Sequence, residues 1–211
     1  MKASILESLK QGDVLICDGA LGTMLQRYDI PPGVMPELWN ADRPEILLEI
    51  HRAYIAAGSQ IITSNTFGGN RIRMAGAGLA QRSVELSQRG VLLAREAAGE
   101  QAWVAASVGP TGQLMEPYGE LSVTLAEEVY AEQVVALADA GADLIFIETQ
   151  HDIEEATCII RMAKKHTSLP VFCTFAFNQR GRTMMGLRPA DAAARVEAAG
   201  ADAVGANCGA G

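Results

Sequence analysis

Short apolar runs alternate with longer amphipathic stretches along this 211-residue chain. The runs VLIC (14–17), QIITS (60–64), AWVAAS (102–107), DLIFI (143–147), PVFCTF (170–175) and DAVGA (202–206) have the length and bounding residues of strands. Between them, apolar residues recur at helical spacing. Over 44–57, Ile46, Leu47, Ile50, Tyr54 and Ala57 fall on one stripe, and Pro44 suits a first helical turn. Thr124 and Glu127 have capping-box spacing at the start of another helix. The stretch from Asp152 closes on Lys164, Lys165 and His166, charges that favour a helix C-terminus. Residues 83–98 and 189–199 complete the helical set. Strands alternating with helices predict a parallel sheet. Strands apolar throughout predict cover on both faces.

One unit is used three times. The segments AAGSQIITSNTF (56–67), DAGADLIFIETQ (139–150) and AAGADAVGANCG (198–209) align on Gly58, Gly141 and Gly200. Each glycine follows a helix, where a left-handed cap is expected. Seven residues on comes Asn65, Glu148 or Asn207; eight on comes Thr66, Thr149 or Cys208. Polar residues therefore collect at the C-terminal ends of strands, where α/β folds keep their ligands. VLIC likewise runs into Asp18, Gly19 and Ala20, and AWVAAS into the glycine turn SVGPTG (107–112). An acidic residue ending an apolar strand needs a partner, which singles out Asp18 and Glu148.

Composition narrows the chemistry. A formal net charge of -8 argues against a nucleic-acid backbone as partner. No apolar run reaches the length of a membrane span, and MKASILESLKQGD has no signal-peptide core, so a cytoplasmic address is expected. The cysteines at 17, 158, 173 and 208 include no CxxC pair, and each by itself reads as a buried free thiol. Regular alternation would turn Cys17 to the face opposite Asp18. His51 and His166 read as solvent-facing or terminal, whereas His151 follows the Glu148 motif and could line the mouth. There is no GxGxxG after the first strand and no GxxxxGK[ST], so nucleotide-binding open sheets lose support. The repeat pitch fits a (β/α)8 barrel, which typically needs about 250 residues. Six strands predict about six of its eight βα units, a barrel domain over 1–211 that is C-terminally incomplete.

The motifs DGALGTMLQ (18–26), SNTFGGNR (64–71), SVGPTG (107–112), GADLIFIET (141–149), GRTMMGLRP (181–189) and GANCG (205–209) resemble the homocysteine S-methyltransferase family in order and spacing. The resemblance implies a TIM-type barrel whose mouth holds a catalytic zinc on three cysteine thiolates. Cys208 matches one of them; the other two form an adjacent pair in a segment this sequence does not contain. The resemblance also implies that Glu148 binds the ammonium of homocysteine and that the amides around Gly19 and Ala20 take its carboxylate. Asp18 would order the site, with Asn65, Thr66 and Thr149 nearby. The implied reaction is methyl transfer to the homocysteine thiol, giving methionine. The donor would be a corrinoid (cobalamin) carried by another domain or protein, or another methyl donor. With one of three zinc ligands, the 211-residue form alone is expected to fall short of activity. Two other readings stand beside this one. The chain could be a non-catalytic binding or regulatory module, or a split-barrel subunit; or it could be a different barrel enzyme, such as a lyase with Asp18 and Glu148 as acid and base.

Overall fold

The structure, a computed structural model, describes residues 4–210. In chain order it runs through α1 (Ile5–Lys10), α2 (Leu21–Gln26), α3 (Trp39–Asp42), α4 (Pro44–Ala56), β1 (Ile61–Thr63), α5 (Arg71–Ala75), α6 (Ser83–Ala98) and β2 (Trp103–Val108). It continues with α7 (Val123–Asp139), β3 (Leu144–Gln150), α8 (Ile153–His166), β4 (Val171–Phe175), α9 (Pro189–Ala199) and β5 (Ala203–Ala206). The five strands form one parallel sheet in sequential order. Each crossover carries a helix, as parallel neighbours require.

The strand face toward the helices carries Ile62, Val104, Ala106, Val108, Ile145, Ile147, Cys173 and Phe175, all in the main core. This core packs against apolar residues of α6, α7, α8 and α9. The opposite face is lined low down by Ile61, Ala105 and Leu144, which pack on Ile5 and Leu6 of α1. Higher on that face stand Thr63, Ser107, Glu148 and Thr174. One face is thus apolar throughout, while the other turns polar toward the strand C-termini.

The predicted first strand shrinks to a single parallel bridge, Cys17 to Ile61. Val14 and Ile16 are 89% and 58% exposed, so this edge has backbone pairing on one side and little apolar cover. The sixfold expectation becomes five strands plus one bridge. The sheet is open at both edges among the described residues, so a closed eight-unit barrel is not what they form.

Helix expectations fared unevenly. Pro44 does open α4, and Ile46, Leu47 and Ile50 are buried. The stripe then shifts: Ala57 is exposed, and His51 takes a fully buried place. The solvent-facing reading of His51 is therefore wrong. Both its ring nitrogens lack a partner among the described residues, and burial pulls its pKa down to about 4. His166 ends α8 and is exposed, as expected. The cap of α7 is Ser122, whose hydroxyl accepts from the Leu125 N–H at 3.2 Å, and Thr124 lies inside the first turn. Serine in extended backbone before the helix is the better cap, since its side chain reaches back over the free amides. Gly58, Gly141 and Gly200 all have positive φ (106°, 91° and 106°), so the repeat's helix-ending glycine is a conformational requirement.

Candidate functional site

The polar strand ends meet at Glu148. Its Oε1 accepts from Ser107 Oγ on β2 at 2.5 Å, and its Oε2 from Asn207 Nδ2 after β5 at 3.1 Å. Burial pushes the Glu148 pKa up, and these two donors pull it back. A charge-assisted hydrogen bond favours the ionised form, so the carboxylate is held but not fully compensated.

Asp18 lies beside this group. The Thr63 backbone N–H donates to its Oδ2 at 2.8 Å, and the Thr63 hydroxyl approaches both carboxylate oxygens at 3.1 and 3.2 Å. Burial raises its pKa to about 7; the Thr63 bonds oppose that rise and the Glu148 charge adds to it. Asp18 is thus pushed toward its protonated form, chiefly by burial and to a lesser degree by the Glu148 charge, while Glu148 is held by neutral donors alone. Cys17 belongs here too. Cys17 is exposed rather than buried, and partial burial, then Asp18, then Glu148 push its thiol pKa up.

Gly19 and Ala20 form that turn, and both are exposed. Their amides make no intramolecular hydrogen bond among the described residues. A Cβ on Gly19 would lie 2.8 Å from the Tyr54 hydroxyl, so glycine is needed for this approach. Tyr54 donates to the Ala20 carbonyl at 3.3 Å and buttresses the turn from α4.

Thr149 carries a backbone irregularity. The β3–β4 register shifts between Ile147 and Gln150, placing Glu148 and Thr149 opposite Thr174 alone. Thr149 has φ 59°, left-handed backbone that a β-branched residue rarely adopts. Cys208, at the equivalent repeat position, has φ 51°. Such residues cost of order 1–3 kcal/mol each and gather at functional sites. A bulge next to a site re-aims the side chains around it. Cys208 is exposed at the end of β5, and its Sγ lies 3.5 Å from Asn207 Nδ2.

Two of the expected site residues are buried in the loop after β1. Asn65 is buried, with Nδ2 donating to the Pro36 carbonyl and to Asn40 Oδ1. Thr66 is buried, donating to the Ser107 carbonyl at 2.7 Å and touching Ser64 Oγ at 2.7 Å. Both brace the loop after β1 from beneath, and the cap of α5 is Asn70. The same loop is gripped by Glu37, whose Oε1 accepts from the Gly68 N–H at 2.5 Å. The SVGPTG turn is fixed by buried Glu155, which accepts from the Thr111 N–H, the Thr111 hydroxyl and the Tyr130 hydroxyl at 2.7–2.8 Å. Ser107, Thr63, Tyr54 and Asn207 were not singled out as site residues. For Ser107, Thr63 and Asn207 the available signal was a polar residue at an inward strand-end position. His151 has a buried Nδ1 without a partner among the described residues. Cys158 and Cys173 are buried free thiols with pKa values pushed up to about 11 and about 12 by burial, as expected for packing cysteines.

Fold and site together define an α/β protein with two partly buried carboxyl groups, free backbone amides and an exposed thiol at the C-terminal edge of a parallel sheet. The homocysteine S-methyltransferase family model matches residues 15–210, and the chain belongs to that family. Methionine synthase of Mycobacterium leprae (strain TN) is 31% identical over 97% of this chain but only 18% of its own length. Betaine--homocysteine S-methyltransferase 1 of Danio rerio is 29% identical over 98% of this chain and 52% of its own. The chain thus spans a fifth to a half of these relatives. The homocysteine methyltransferase MmuM of Escherichia coli, solved in a metallated form, superposes with a TM-score of 0.81 at 25% identity, covering 96% of this chain and 77% of that one. No helix among the described residues is long and apolar enough to cross a membrane.

Proposed function

We propose that this chain is a homocysteine-binding domain that presents its substrate's thiol for methylation to methionine. The carrying observation is the under-compensated Glu148–Asp18 pair beside the free amides of Gly19 and Ala20. An α-amino acid supplies what the site lacks. Its ammonium meets Glu148, its carboxylate accepts from the Gly19 and Ala20 amides, and Asp18 orders the turn through Thr63. Thr149 lies beside Glu148 in the bulge, and Cys208 marks the side toward which the substrate sulfur points. Asn65 and Thr66 act from below, by holding the loop after β1.

In the reaction the homocysteine sulfur attacks the donor's methyl carbon. The S–C bond forms as the bond from methyl to donor breaks, and the thiol proton is lost. An ordinary thiol has a pKa near 8.5, so proton loss must be assisted at neutral pH. A corrinoid-type donor carried by another domain or protein fits the family resemblance, with other methyl donors as alternatives. The C-terminal edge of the sheet then serves to hold the two reactants in line. Zinc is the implied metal, and a catalytic zinc takes three protein ligands. The described residues offer Cys208 but no group of three or more His, Cys, Asp or Glu arranged to hold a metal. These residues alone therefore do not fit the ion, and the proposal rests on amino-acid binding.

Calorimetric titration of the chain with L-homocysteine tests it. Binding is expected, with a loss of at least about tenfold in Glu148→Gln, the measure of one hydrogen bond to a charged group. Equal affinity in wild type and variant would sink the proposal.

A further inference from the structure

We infer that Asn207 is the positioning residue of the site, fixing Glu148 relative to Cys208 through the bulge at Thr149; the inference rests on the homocysteine-binding reading above. The carboxamide joins the ends of three strands. Oδ1 accepts from the Thr149 N–H on β3 and the Thr174 hydroxyl on β4, both at 2.9 Å. Nδ2 reaches Thr149 Oγ1 at 2.9 Å and Glu148 Oε2 at 3.1 Å, with Cys208 Sγ at 3.5 Å.

The orientation of the amide is dictated by its neighbours. The Thr149 N–H can only donate, so it must face Oδ1; an ionised Glu148 can only accept, so it must face Nδ2. An aspartate could not satisfy both sides at once. The bulge explains why the residue is needed. Where Glu148 and Thr149 share one partner residue on β4, the ladder loses a place for the Thr149 N–H. Asn207 supplies the acceptor and so stabilises left-handed backbone at Thr149. It is itself the residue before Cys208, the second left-handed position. One side chain therefore ties the carboxylate that holds the ammonium to the backbone that carries the thiol. Glu148 and Cys208 are far apart in sequence, and among the described residues Asn207 is the hydrogen-bonded link between them.

A residue that merely stabilised the fold would weaken every ligand alike. A residue that aims Glu148 should matter only for ligands with an ammonium. The chain is titrated with L-homocysteine and with 4-mercaptobutanoate, the same thiol acid without the amino group. Asn207→Ala is expected to weaken homocysteine by at least about tenfold while changing 4-mercaptobutanoate by less than about threefold. Thr174→Val removes one bond to Oδ1 and is expected to shift the ratio the same way by a smaller factor. It keeps the test decisive if the alanine variant melts early. Equal weakening of both ligands, or an unchanged ratio in both variants, overturns the role of Asn207 while leaving the proposed function standing. A wild-type chain that does not bind homocysteine overturns the proposed function, and this inference with it.

Discussion

Replacing Asp18 by asparagine should change how stability depends on pH. The folded-state pKa of Asp18 is raised to about 7 from an ordinary 3.8, chiefly by burial. The folded chain then holds the Asp18 proton more tightly than the unfolded chain does. The stability this contributes is fully present below pH 3.8 and is lost as pH rises through 7. Each pKa unit is worth about 1.4 kcal/mol, so the wild type should lose roughly 2.5 kcal/mol between about pH 5 and about pH 8. The asparagine of the Asp18→Asn variant does not titrate, yet its carbonyl can accept from the Thr63 N–H and its amide can donate to the Thr63 hydroxyl. The measurement is urea unfolding of both proteins across that range, taken as the difference between them. Groups that do not act on Asp18, such as Glu37, are present in both proteins and largely cancel, whereas the Glu148 coupling to Asp18 is part of the difference measured. Curves that stay parallel would refute the claim that Asp18 is desolvated beside a second carboxylate.

Burial of His51 predicts the opposite slope. Its folded pKa of about 4 lies below its ordinary 6.5, so its stabilising contribution is lost as pH falls from about 6.5 toward 4. His51→Leu should abolish about 3 kcal/mol of that acid sensitivity, read by unfolding at the two ends of the window. Glu155→Gln should cost about 3 kcal/mol and loosen the SVGPTG turn, because one buried Glu155 oxygen serves three donors; unchanged unfolding would contradict this. Gly19→Ala should weaken homocysteine by about tenfold or more while leaving the melting temperature within a few degrees, since the new methyl meets Tyr54 at the turn rather than in the core. Restoration of binding by Gly19→Ala combined with Tyr54→Leu would support that steric cause.

The repeat was the most legible feature of the sequence. Glycine spacing alone located Gly58, Gly141 and Gly200 at left-handed helix ends and Glu148 and Cys208 at strand ends. These follow from local chain geometry, which short sequence patterns carry well. What escaped was set by partners distant in sequence. Ser107 and Asn207 become the clasp of Glu148 only when β2 and β5 flank β3 and β4. Asn65 and Thr66 sit at the same repeat position as residues that face the mouth, yet Asn40 and Ser107 draw them inward. VLIC has strand composition, but pairing on one edge leaves it a single bridge. His51 looked polar enough for the surface; its place one residue after Ile50 on the buried side of α4 decided otherwise. The bulge at Thr149 has no sequence signature, since a β-branched residue is the least expected occupant of left-handed backbone.

A crystal structure of the chain with L-homocysteine tests the central claim most directly. The account predicts the ammonium on Glu148, the carboxylate on the amides of Gly19 and Ala20, and the sulfur on the Cys208 side. Homocysteine bound with its carboxylate toward Cys208, or seated away from Glu148, would contradict it.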